Sequence, residues 1–280
     1  MTNVSAETKA KADAFYALHR GPGAFIIPNP WDRGSARILT HLGFKALATT
    51  SMGYAFSIGQ RDNSLTREQT LANAADIVSA TDLPVNADLE NGFGDAPEEV
   101  AETIRLTTAT GIVGGSIEDA SGRDADPIYD LGLAKARIEA AVSAARALPH
   151  KFTLTARAEN YLWSRPDLND TIKRLQAYQE AGADVLYAPG LKTAEDIAAV
   201  VSSVDRPVNV VMGLVGAQFG LEELSKLGVK RISVGSSLQR AALGEFVRAA
   251  REMHDQGTFT YAAKAAAPKE MTAIFDSFRR

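Results

Sequence analysis

The chain has 280 residues, 45% hydrophobic and 23% charged, with a formal net charge of −4 and a pI near 5.7, the balance of an ordinary soluble domain. That charge carries no electrostatic footprint for nucleic acid or an anionic membrane; no apolar run approaches a bilayer span, and the polar residues 1–11 lack the apolar core of a secretory signal, so the expected location is cytoplasmic. Cysteine is absent, which excludes disulfides, zinc–thiolate and iron–sulfur sites and thiol nucleophiles. The histidines His19, His41, His150 and His254 are scattered and read as surface or helix-end residues.

In chain order, strand-like and helix-like segments alternate. Residues 24–31 read as a strand and 34–42 as a helix; 46–51 is the second strand, with its helix over 67–80 after a longer loop. Strand 84–90 is followed by helix 97–108, strand 115–119 by helix 131–148, and strand 152–159 by helix 168–181. Strands 185–188, 207–211 and 231–235 precede helices 193–202, 221–227 and 238–254. Strands alternating with helices imply a parallel sheet, and eight such units predict a closed (β/α)8 TIM barrel. Gly43, Gly111, Gly182 and Gly228 follow apolar helical runs, where a left-handed helix stop is wanted. An open doubly wound sheet is the alternative, but no Gly-x-Gly-x-x-Gly follows the first strand. Residues 1–256 are thus read as one catalytic barrel and 257–280 as a helix-prone tail suited to subunit contact. Two long loops, 53–66 and 120–130, fall on the catalytic face, where long loops often act as lids.

The strands carry their chemistry at their ends. Val85-Asn86-Ala87-Asp88-Leu89-Glu90, Gly115-Ser116-Ile117-Glu118 and Phe152-Thr153-Leu154-Thr155-Ala156-Arg157-Ala158-Glu159 each begin apolar and end in charge. Alternation puts Asn86, Asp88 and Glu90 on one face, and Thr155, Arg157 and Glu159 on one face of their own strand. Four carboxylates, Asp62, Asp88, Glu90 and Glu118, converging on one mouth would repel unless a cation sat among them. An all-oxygen set selects Mg2+ or Mn2+ over zinc or copper; the competing reading is a set of acids paired to Arg61, Arg157 or nearby lysines. Arg157 suits a substrate carboxylate, phosphonate or enolate charge, or an ion pair with Glu159 or Glu118. Thr49-Thr50-Ser51-Met52-Gly53 offers hydroxyls and backbone N–H groups to a carboxylate, although such clusters are also ordinary loop chemistry.

These motifs, with Pro28-Asn29-Pro30-Trp31-Asp32, Gly59-Gln60-Arg61-Asp62, Asp88-Leu89-Glu90-Asn91-Gly92-Phe93-Gly94 and Ser116-Ile117-Glu118-Asp119, resemble the isocitrate lyase/phosphoenolpyruvate mutase superfamily over most of the chain. The resemblance implies a barrel whose last helix is exchanged in a homodimer or homotetramer, Mg2+ as cofactor, and a small 2-oxo or 2-hydroxy acid as substrate. By position it implies Asp88 as the direct metal ligand, with Asp62, Glu90 and Glu118 holding the metal's waters. Arg157 would bind substrate, with Asp62 and Glu118 as further catalytic residues. Thr50, Ser51 and Met52 would grip the carboxylate. Asn209 would be a pocket residue, or else a hydrogen-bonding layer inside the barrel. Many members have aspartate where this chain has Glu90. The lyases that release succinate carry a cysteine acid in the segment that here reads Ala120-Ser121-Gly122-Arg123-Asp124-Ala125-Asp126, and the mutases place lysine and asparagine there. The implied activity is therefore Mg2+-assisted carbon–carbon cleavage through a pyruvate-like enolate, as in oxaloacetate decarboxylation. The alternatives are phosphorus–carbon chemistry, methylisocitrate cleavage by another acid, with Tyr54, Tyr129, Asp124 or Asp126 as candidates, and a barrel that binds an oxo acid without turnover.

Overall fold

A computed structural model describes residues 4–213 and 215–278. Eight parallel strands run β1 (Phe25–Ile27), β2 (Leu47–Ala48), β3 (Val85–Asp88), β4 (Gly114–Glu118), β5 (Thr153–Arg157), β6 (Val185–Tyr187), β7 (Val208–Val211) and β8 (Arg231–Ser233). The sheet order β1-β8-β7-β6-β5-β4-β3-β2 wraps the chain into a barrel with its seam between β1 and β2. Two contacts close the seam. The Ala48 amide donates to the Pro28 carbonyl at 3.0 Å. Asn29 donates to the Thr49 carbonyl and accepts from the Val234 and Gly235 amides, at 2.9–3.0 Å. One buried amide thus joins the ends of β1, β2 and β8, so Asn29 has a structural task inside its Pro-Asn-Pro motif.

Helices α1 (Ala6–Leu18), α2 (Arg33–His41), α3 (Ser51–Ser57), α4 (Arg67–Ser79), α5 (Pro97–Leu106), α6 (Leu131–Arg146), α7 (Leu168–Glu180), α8 (Ala194–Ser202), α9 (Leu221–Lys226), α10 (Ser237–Gln256) and α11 (Pro268–Asp276) complete the chain. Side-chain caps from Asp32, Thr66, Asp130, Asp167 and Thr193 start five of them. Gly43, Gly111, Gly182 and Gly228 all sit at positive φ, as their positions after the helices require. Leu89 just beyond β3 and strand residues such as Ile117, Leu154, Leu186, Val210 and Ile232 share one apolar core with Val100, Ile104, Ile138, Leu175, Val200 and Leu224 of the helices. No helix among the described residues is long and apolar enough to cross a membrane.

Two helices depart from the sequence reading. The first half of the loop after β2 is α3, capped by Thr50, whose hydroxyl accepts from the Gly53 amide at 3.2 Å. Helix α1 precedes the barrel. It buries Phe15 and Ala12 against Ile27, Ala46, Ala48 and Val113, and Phe15 lies where a side chain on Gly114 would be. It therefore stops the N-terminal end of the barrel. His19, at its C-terminus, and His150 are buried rather than on the surface. The His19 Nδ1–H donates to the Phe15 carbonyl at 2.9 Å, and its ring meets Phe15 and Phe25 edge-on.

The C-terminal segment behaves differently. Helix α10 has Gln239 as its only buried residue among the described residues and leaves Leu243, Phe246 (68% exposed), Val247 and Met253 open. Helix α11 begins at Pro268, which suits the first turn. It lies against α2 of its own chain, with the Phe278 ring 5.5 Å beneath the Arg37 guanidinium.

Burial first, and then the charge of Arg231, push the His19 pKa from 6.5 down to about 3. An imidazole with a depressed folded pKa gains its proton on unfolding in acid. Stability therefore rises with pH between those two values and falls on acidification, by about 2 kcal/mol at pH 5. Thermal melts of wild type and His19→Gln between pH 7 and 5 should show the wild type losing more stability; parallel pH profiles would contradict this.

Candidate active site

A cavity of about 420 Å³ opens at the C-terminal ends of the strands, the face on which (β/α)8 enzymes build their sites. Thr50, Ser51, Met52, Asp62, Asp88, Glu118, Arg157 and Asn209 all line it. Glu90 does not. The strand ends at Asp88, and Glu90 adopts a left-handed backbone (φ 48°), so the expected alternation does not extend to Glu90, which nonetheless stays close enough to Asp88 and Asp62 to feel their charge.

Asp88 is held from two sides. Its backbone N–H donates to Thr49 Oγ1 at 2.9 Å. One carboxylate oxygen accepts from the Ser51 amide and hydroxyl at 3.1 and 2.9 Å, and the other from Arg157 Nη1 at 3.0 Å. Ser51 can reach Asp88 because Gly53 lets the turn close; a Cβ there would lie 2.5 Å from Thr50 Cγ2. The Met52 sulfur accepts from the Ser236 hydroxyl at 2.9 Å.

Arg157 is the centre of the cluster. Besides Asp88 on β3, it pairs with Glu118 on β4 at 3.1 Å and with Glu159, beyond β5, at 2.8 Å. The ion pairs weighed against a ligand role are therefore present. Burial opposes the guanidinium charge, but Glu159, Glu118 and Asp88 hold its pKa well above the usual value. Burial pushes Glu118 and Glu159 up, against the pull of Arg157. Tyr187, at the end of β6, stacks 5.1 Å from the guanidinium.

The remaining acids lack such compensation. Burial, and then Asp88, raise Asp62. Burial, Asp88 and Asp62 push Glu90 up to about 8, and its Oε1 is buried with no partner among the described residues. An orphaned buried carboxylate oxygen beside a surplus of acids is the environment a cation relieves. The donors are all oxygen, which fits a hard divalent ion. No group of three His, Cys, Asp or Glu among the described residues forms a ready-made cage. A Mg2+ ion here would have to bind through one or two carboxylates and keep several waters.

The loop at 120–130 is folded onto the β3–α5 turn. Ala120 and Ile128 form an antiparallel bridge. Arg123 pairs with Asp95 at 2.7 Å, and the Tyr129 hydroxyl donates to Asp95 at 2.6 Å. Tyr54, Asp124, Asp126 and Tyr129 are not among the residues lining the cavity. Sequence reasoning missed Tyr187, Trp163 and Arg231 on the cavity wall. It also missed Arg137, which is buried in α6, donates to the carbonyls of Asn91, Gly94 and Asp95, and stacks 4.2 Å from Tyr129. A strand-terminal aromatic and a helical arginine carry no distinctive spacing.

The family model for phosphoenolpyruvate phosphomutase matches residues 15–254. The chain is a member of the isocitrate lyase/phosphoenolpyruvate mutase superfamily. A solved Burkholderia cenocepacia structure, assigned only provisionally as a lyase/mutase, is 61% identical, with a TM-score of 0.94 over 97% of both chains. An uncharacterized Mycobacterium tuberculosis protein is 34% identical over 86% of this chain and 89% of its own. The structure of 2,3-dimethylmalate lyase, a member of the same superfamily, is 25% identical, with a TM-score of 0.84 over 98% of this chain and 97% of that one. With these relatives the expectation of a carbon–carbon lyase on a TIM barrel stands.

Arg137 provides a test of how the turn bearing Glu90 is held. Arg137→Met removes the donor to three carbonyls of that turn and should cost about 2–4 kcal/mol in urea unfolding. A loss below about 1 kcal/mol would show that the turn holds itself.

Proposed function

We propose that this protein is a Mg2+-dependent lyase that cleaves a carbon–carbon bond of a small 2-oxo or 2-hydroxy acid through a pyruvate-like enolate. The observation that carries the reading is the surplus of carboxylates around Asp88 and Arg157 at one mouth, with an orphaned oxygen on Glu90. Asp88 would hold the metal directly, and Asp62, Glu90 and Glu118 would reach its waters; Mn2+ would fit the same donors. Bound there, the metal supplies Lewis-acid stabilisation of enolate charge. Arg157 has five N–H groups, and three ion pairs leave donors for a substrate carboxylate or the developing oxyanion. Thr50, Ser51 and Met52 form the wall beside it, and Asp88's partners Ser51 and Arg157 fix its orientation.

The missing thiol narrows the chemistry. A departing carbanion needs a proton, and general acid catalysis is worth on the order of a hundred- to ten-thousand-fold. Carbon dioxide or an aldehyde leaves without one. A Mg2+-dependent screen of oxaloacetate, 4-hydroxy-2-oxo acids, phosphonopyruvate and 2-methylisocitrate should therefore yield pyruvate from one of the first two classes at least about a hundredfold faster than from 2-methylisocitrate. Efficient 2-methylisocitrate cleavage would overturn the reading. Asp88→Asn should lower activity by at least about a thousandfold and abolish Mg2+-induced thermal stabilisation. Retained stabilisation would remove Asp88 as the ligand.

The exposed apolar side of α10 supports self-association, in a dimer or tetramer, through that helix. Phe246→Glu should shift the light-scattering mass toward one subunit. A wild-type mass of a single subunit at micromolar concentration would exclude the assembly.

A further inference from the structure

The cavity contains a second arginine that its acids do not reach. Arg231, the first residue of β8, is 3% exposed and lines the cavity at its floor. The other buried arginines are matched. Arg157 faces three carboxylates, Arg174 faces Asp119 and Asp170, and Arg137 has three backbone carbonyls. Arg231 has neutral partners only. Its Nε donates to Asn209 Oδ1 and its Nη2 to Thr155 Oγ1, both at 2.9 Å, and its Nη1 lies 3.4 Å from His19 Nε2. Because His19 Nδ1 donates to the Phe15 carbonyl, the nitrogen facing Arg231 presents a lone pair, not a charge. No carboxylate among the described residues forms an ion pair with Arg231. A buried charge without a counter-charge is costly, and three N–H bonds leave two donors of the fork unassigned.

We propose that Arg231 anchors a second acidic group of the substrate, a carboxylate or phosphonate reaching from the metal-side mouth to the barrel floor. The inference rests on the function proposed above and names the part of the substrate that the mouth does not. Thr155, which Arg231 touches, precedes Arg157 by two residues on the same strand, roughly 7 Å of rise. A substrate with acidic groups at both ends of a short carbon chain would address both levels. Asn209 then acts as a positioning residue: it takes Nε of Arg231 and donates to Ser233 Oγ at 3.0 Å, which fixes the plane of the fork. The anchor also selects the chemistry. A carboxylate paired with a buried guanidinium is stabilised as the ion, whereas loss as carbon dioxide would discharge it. The anchored group therefore remains on a product, and the cleaved bond lies between the two acid ends.

The test is binding with Mg2+ present, read by calorimetry, using oxalate, 2-oxoglutarate and its monoacid analogue 2-oxopentanoate. Wild type should bind 2-oxoglutarate at least about tenfold tighter than 2-oxopentanoate. Arg231→Gln should remove that preference and leave oxalate binding unchanged, and Arg231→Lys should keep part of it. A preference that survives in Arg231→Gln overturns the proposal. So does a wild type that binds oxalate but shows no preference for the diacid, a result that needs no folded variant. Failure of wild type to bind oxalate with Mg2+ would instead sink the mouth assignment itself, and the anchor with it.

Discussion

One guanidinium holding three carboxylates from three consecutive strand regions is the constraint on which the site depends. Asp88, Glu118 and Glu159 could not share a buried mouth without Arg157 between them. Without them the enclosed Arg157 charge would be uncompensated, which is costly. The match is incomplete by design of the neighbourhood, because Asp62 and Glu90 add further acid. Asp88 is the point where the competition is decided. Its two oxygens already serve Ser51 and Arg157, so a cation arriving there must displace or share with the arginine. Under the proposed function, a guanidinium N–H released from Asp88 would be open to a substrate anion. Binding of metal and substrate would thus be coupled through one side chain.

The polar character extends below the mouth. A TIM barrel interior is ordinarily filled by branched apolar layers. Here Asn86, Ser116, Asn209, Arg231 and Ser233 line the cavity, and buried Thr155 accepts from Arg231 beside them. Helix α1 makes this tolerable: Phe15 and Ala12 seal the N-terminal end with apolar surface, and His19, kept neutral, meets the buried arginine without adding charge. The plug and the polar floor are therefore one structural solution, with apolar material outside and hydrogen-bonded material within.

The barrel was legible because strand alternation and glycine helix stops are local signals, repeated along the chain. The acidic strand ends were legible because an apolar run terminating in charge is rarely a core feature. Other elements escaped for physical reasons. Helix α1 buries little beyond Ala12 and Phe15, so its sequence shows no apolar stripe. Helix α3 is only seven residues, about two turns, and its Ser, Gly and Tyr residues look like a loop. Glu90 was read by alternation, which fails once the backbone turns left-handed. Arg231 opens its strand, where a charge reads as solvent-facing; only the neighbouring strands and α1 reveal that it is enclosed. Asn209, left open between pocket and barrel layer, turns out to occupy both, since it lines the cavity while holding Arg231.

The proposed function implies that Asp88 and Arg157 would exchange partners if Mg2+ and an oxo acid bind at this mouth. A crystal structure with Mg2+ and oxalate, the stable analogue of a pyruvate enolate, tests it most directly. The account predicts an Asp88 carboxylate oxygen on the metal, Glu90 and Glu118 on its waters, and an Arg157 N–H turned from Asp88 to oxalate. An Asp88–Arg157 pair left intact, with oxalate bound away from this mouth, would contradict it.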